Sequence, residues 1–187
     1  MERMAYIKDL SDYRYLLDFE RPRTKAIGWL DLGHAFPVSP PDGAMLNQLW
    51  RFCQTSVAQT RGFCPCPFCE GAVPVEVLRD GQTLLLGTAE IRVLSKTGDI
   101  YAAPTTIYHY VSVHHYAPPA EFVSAMFEGP PPSGEEYFAV LRSLGLEWNP
   151  TSTGGQGYWN PNDHRPEDDD IPLIELMARR KSTPKTK

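Results

Sequence analysis

The chain has 187 residues, a formal net charge of −5, and a composition that is 42% hydrophobic and 22% charged. That length suits one domain with room for an extension, and it can bury a core without needing a disulfide or a metal. The 18 prolines limit long helices and central strands, because proline lacks a backbone donor and fixes φ; collagen, coiled coil and a fully disordered chain are excluded.

The acidic balance, with an isoelectric point near 5.5, argues against a nucleic-acid or anionic-membrane binder. Such proteins present a basic face that releases phosphate counterions. No apolar run approaches the ~20 residues that a membrane span requires. The opening Met1-Glu2-Arg3-Met4-Ala5-Tyr6 lacks the basic-then-apolar order of a signal peptide. A soluble cytoplasmic protein is expected, with its cysteines as thiols or metal ligands rather than disulfides.

The first predicted element is a strand over residues 25–30, ended by Asp31 and Gly33. Pro40 and Pro41 then open a helix over 42–54, with Leu46, Leu49, Trp50 and Cys53 on one face at i, i+3, i+4, i+7. Cys53 belongs to that apolar face and reads as core. A cysteine-rich loop follows at 61–71. Next comes a four-stranded meander over 75–79, 83–87, 89–95 and 100–102, turning at Asp80-Gly81 and Thr97-Gly98-Asp99. In its third strand Ala89, Ile91 and Val93 alternate with Glu90 and Arg92, which predicts one buried and one polar face.

Pro104 suits the first turn of a helix running to about His114. The β-branched and aromatic residues of 105–111 keep a strand open as the alternative. Pro118-Pro119 opens a second helix, carrying Phe122, Val123, Met126 and Phe127. Ser133 with Glu136 forms a capping box for a third, stopped by Gly145. After Trp148 the chain turns polar and then charged, with acids first and bases last. The predicted organisation is one α+β domain over 1–148, mostly antiparallel sheet with flanking helices and a zinc-knuckle-like loop. A mobile extension follows over 149–187, with a short helix at 171–181.

Cys64-x-Cys66-x-x-Cys69 is the most informative stretch, stiffened by Pro65 and Pro67. Thiolates aimed at one point repel one another unless a cation lies between them. Zinc takes four tetrahedral ligands from cysteine and histidine. The knuckle supplies half of such a site and no second Cys-x-x-Cys exists, so histidine must complete it. His109 and His114 have suitable spacing for a histidine pair. The order of knuckle, hairpin and helix with ligands resembles a treble clef. Yet 39 residues separate Cys69 from His109, and positions i and i+5 lie about 140° apart on a regular helix. The two histidines would therefore meet only if the helix end frayed. The candidates are Cys64, Cys66, Cys69, His109 and His114 for four positions, with His34 as an alternative. His164 reads as an exposed tail residue.

No Gly-x-Ser-x-Gly elbow, phosphate-binding loop, dinucleotide fingerprint or His-Glu-x-x-His occurs. Gly28-Trp29-Leu30-Asp31, Gly33-His34-x-Phe36, Cys66-Pro67-Phe68-Cys69, Gly87-Thr88-Ala89-Glu90-Ile91-Arg92-Val93, Tyr101-Ala102-Ala103-Pro104, Ile107-Tyr108-His109-Tyr110-Val111 and His114-x-Tyr116-x-Pro118-Pro119 stand in this order. Together they resemble an uncharacterised bacterial domain family, over roughly residues 5–128. In that pattern a histidine often stands at position 64, which implies that Cys64 belongs to the site. His115 replaces a glycine of the pattern. The resemblance carries no reaction. The expected function is a zinc-stabilised protein that binds a partner protein, of accessory or immunity type, without catalysis. The alternative is a metal-dependent hydrolase on the same residues, with Glu90 or His34 as base.

Overall fold

The structure is a computed structural model that describes residues 6–14, 24–59, 63–69 and 74–146. The extension expected over 149–187, its helix at 171–181 and His164 lie outside the described residues. Among those described, the order is β1 (Thr24–Ala26), α1 (Gly43–Gln54), β2 (Val75–Arg79), β3 (Gln82–Leu86), β4 (Glu90–Leu94), β5 (Ile100–Pro104), α2 (Ile107–His114), α3 (Ala120–Glu128) and α4 (Glu135–Ser143). The α+β class is as expected. No helix among the described residues is long and apolar enough to cross a membrane.

The expected meander divides into two sheets. β2 and β3 form a hairpin, and β4 pairs antiparallel with β5, which pairs parallel with β1. The division has a local cause. Val57 and Glu90 exchange both backbone hydrogen bonds, at 2.7 and 2.8 Å, so the outer edge of β4 is already occupied where β3 would have paired. In the hairpin turn Asp80 and Gly81 both take positive φ, at 50° and 76°, as a two-residue turn between right-twisted strands requires.

The N-terminal strand is shorter than predicted and pairs in parallel. After Ala26 the Gly28 backbone swings to φ 71°, and the Asp9 carboxylate accepts its N–H at 2.8 Å. Pro104 ends β5 instead of opening α2. It lies opposite Glu90, and the helix begins after Thr106. A strand end tolerates the missing donor as well as a helix start does. The capping box at Ser133 does not form. A turn from Gly134 N–H to Pro131 O, at 2.9 Å, places Gly134 at the cap position, and no side chain bonds there.

β4 departs from the two-faced reading, since all five of its residues are buried. Glu90 and Arg92 are 4% and 2% exposed. Arg92 Nη1 lies 2.6 Å from Glu90 Oε2, and Tyr13 Oη donates to Glu90 Oε1 at 2.6 Å. The guanidinium also stands 5.1 Å from the Tyr13 ring centroid. A buried charge is tolerated when its partner is equally desolvated. The N-terminal segment thus covers a face that alternation alone would leave in water.

Helices α1, α2 and α3 pack around the sheet end, with Phe52, Ile107, Tyr110, Tyr116, Phe122 and Tyr137 fully buried among them. Cys53 is core, as expected. Its Sγ lies 3.7 Å from Thr105 O, and burial pushes its thiol up to about 12.

Candidate metal centre

Two elements build the site. One is the loop of residues 63–69 and the other is helix α2, with His109 in its first turn and His114 in its last. The loop is pinned at its base, where the Cys64 N–H donates to Gly87 O at 2.8 Å. Gly87 is needed for this approach. Its φ is 94°, and an added Cβ would stand 2.5 Å from the Cys64 carbonyl oxygen.

The loop tip is oriented by Phe68, which sits between the two knuckle cysteines. Its ring packs edge-on against Tyr110 at 5.8 Å and Phe36 at 5.2 Å, and lies 5.3 Å from the His114 ring. Aromatic edges of this kind each add roughly 0.5–1.5 kcal/mol beyond area burial. They turn both flanking thiols toward α2.

The ligand atoms of Cys66, Cys69, His109 and His114 all lie within 4.8 Å of one another. His114 Nε2 stands 3.2 Å from each of Cys66 Sγ, Cys69 Sγ and His109 Nε2. Cys69 Sγ is 3.3 Å from His109 Nε2. A ring nitrogen carries one hydrogen or one lone pair, so it makes one hydrogen bond. Three neighbours at equal distance exceed that capacity. A cation at their centre satisfies all of them at once. With metal–sulfur bonds of about 2.3 Å and metal–nitrogen bonds of about 2.05 Å, a tetrahedron has edges of about 3.6 Å for S···N and about 3.3 Å for N···N. The donor separations of 3.2–3.3 Å are therefore close to those of a tetrahedral shell.

The electrostatics agree with this arrangement. Burial pushes the Cys66 thiol up to about 11, against the Phe68 backbone N–H, which favours the thiolate. Burial also lowers His109, with the His114 charge adding to it, and burial followed by the His115 charge lowers His114. Neutral imidazoles are the form that binds metal. Tyr110 is raised, chiefly by burial and further by the nearby cysteines.

The helix does not fray to bring the histidines together. α2 remains helical through His114, and His115 caps it in the left-handed region at φ 56°. Atoms Cα five residues apart on a helix stand about 9 Å apart. Two imidazoles leaning toward each other from the first and last turns of this short helix close that gap. Cys64 is half-buried and lies outside the four-residue group. His34 is elsewhere, with Nδ1 2.7 Å from Asp31 Oδ1 and its ring stacked 3.6 Å from Tyr6. Glu90 is bound to Tyr13 and Arg92 in the core. Phe68, Gly87 and Tyr110 are site residues that spacing could not reveal, because their roles are contacts across the fold.

Fold and site together define a small α+β domain that closes a two-cysteine loop over two helix histidines. The chain belongs to the family described as Domain of unknown function (DUF7919), whose model matches residues 5–127. All four clustered residues fall within that match. No curated protein matches the chain, and no solved structure does.

Proposed function

We propose that the protein is a zinc-stabilised binding domain, in which Cys66, Cys69, His109 and His114 hold one Zn²⁺ and the folded surface engages a partner protein. The observation that carries the zinc reading is the triple contact of His114 Nε2 with two sulfurs and one nitrogen at 3.2 Å. Two thiols and two imidazoles match zinc better than harder, oxygen-seeking cations. Four protein donors also close the coordination shell, as structural zinc sites do, whereas catalytic sites keep a position for water. The metal clasps the loop to α2 and so holds the surface around it.

Exposed apolar side chains flank that surface and support the partner reading. Val113 on the last turn of α2 is 54% exposed, and Val38, whose segment pairs with Tyr116, is 68% exposed. Solitary apolar residues are ordinary on surfaces, but Val113 adjoins His114 in sequence and Val38 pairs with Tyr116, two positions past it. Thiols that stay available as ligands suit a reducing compartment such as the cytoplasm.

Metal analysis of natively purified protein, combined with X-ray absorption at the zinc edge, tests the site. One zinc per chain with two sulfur and two nitrogen neighbours is expected. Natively purified, folded protein that contains no zinc would overturn the reading, and three protein ligands plus a water would turn it toward the hydrolase. For the partner, Val38→Ser with Val113→Ser should abolish binding of a protein that co-purifies at native levels, while zinc content and melting temperature stay unchanged.

A further inference from the structure

We infer that Cys66 and Cys69 form a reversible oxidation site, at which hydrogen peroxide converts the pair to a disulfide and opens the clasp. The inference rests on the zinc reading above. Three observations carry it. Cys69 is exposed while Cys66 is buried, so an oxidant reaches one thiol first and finds the second beside it. Their sulfurs lie within 4.8 Å, on one short loop, so a disulfide needs side-chain rotation but no chain crossing. The remaining donors, His109 and His114, project from α2 and not from the loop. Losing both sulfurs therefore severs every metal link between the two elements.

The chemistry balances. The Cys69 thiolate attacks one peroxide oxygen, the O–O bond breaks, and the departing hydroxide takes a proton from solvent to become water. Cys69 is then a sulfenic acid. The Cys66 thiolate attacks the Cys69 sulfur and the S–O bond breaks. A second proton from solvent turns that hydroxide into water. Two thiolates have lost two electrons, the peroxide has gained them, and two waters have formed. Two imidazoles alone leave half a tetrahedral shell, and zinc departs. A dithiol reductant reverses the change.

Cys64 supplies the internal contrast. It lies two residues from Cys66, yet outside the four-residue group, and neighbours spaced so closely are poorly placed for a disulfide.

The test begins with the zinc content of the full-length purified protein. The zinc-loaded protein is then treated with hydrogen peroxide, zinc release is followed with a chromogenic chelator, and the linkage is mapped by fragment mass spectrometry. The expected result is release of nearly all the zinc together with a Cys66–Cys69 disulfide, in wild type and in Cys64→Ser alike. A dithiol reductant with added zinc should restore the starting state. Zinc that stays bound under peroxide, a disulfide that includes Cys64, or release with only irreversible sulfinic acid would each overturn the inference while leaving the zinc reading intact. Protein purified without zinc would overturn both.

Discussion

Two polar clusters in this fold invite comparison. One is Tyr13, Glu90 and Arg92 under the N-terminal segment, and the other is Cys66, Cys69, His109 and His114 beneath the knuckle loop. The first contains an acid, a base and a hydroxyl donor, so its charges pair and its hydroxyl is bound at 2.6 Å. The second contains four groups that all seek the same positive centre. Its members crowd to 3.2–3.3 Å without a hydrogen-bonding scheme that serves them all. A buried cluster that balances internally is architecture, whereas one whose members all favour the same positive centre could hold a metal ion.

Breaking the balanced cluster should have the largest effect on stability. Arg92→Met leaves Glu90 buried without its partner, and a cost of about 3–5 kcal/mol is expected in urea unfolding. The double change Glu90→Gln with Arg92→Met should recover much of that loss, because no charge is then stranded. Next is the complementary cluster. Cys66→Ser, or chelation of the wild type, should remove stabilisation of about 2.7 kcal/mol at free zinc a hundredfold above Kd. For a chain of this size that corresponds to a fall in melting temperature of about 5–10 °C.

Acid separates the clusters more gently. In the metal-free site the Cys66 thiol titrates near 11, so at neutral pH it is protonated and zinc must displace that proton. The metal-free form therefore binds more protons, and acid favours it. Competition titrations at two pH values should show zinc affinity falling about tenfold per unit of acidification from this thiol alone. The smallest effect is expected at His34. Its partner is Asp31 on the exposed loop, so His34→Ala should leave zinc stoichiometry and melting temperature unchanged.

Much of this was legible locally. The apolar spacing of α1, the Asp80-Gly81 turn and the Cys-x-x-Cys knuckle each announce themselves within a dozen residues. What was hidden depends on distant parts of the chain. The parallel pairing of β1 with β5 joins residues 24–26 to 100–102, and no local pattern encodes it. The polar residues of β4 looked solvent-facing because Tyr13, 77 positions from Glu90, is what covers them. Helical angles argued against His109 with His114. The rule treats side chains as spokes, while imidazoles on the first and last turns of a short helix are long enough to lean together. Cys64 shows the opposite limit, because ligand chemistry at close spacing does not say which thiols turn inward.

Asp9 ties its own segment to the turn that follows α2. Its carboxylate accepts from the Gly28 N–H at 2.8 Å and from Tyr116 Oη at 2.7 Å, across a separation of 107 positions. Tyr116 in turn donates its N–H to Tyr110 O, just past the clasp. The segment around Asp9 therefore precedes one of its docking partners by 107 positions and completes its contacts only when that partner is in place. Contacts of such long range slow folding, because loop-closure entropy must be overcome before they form. During synthesis the knuckle thiols emerge well before their histidines, and for that interval they are open to any competing soft metal or oxidant.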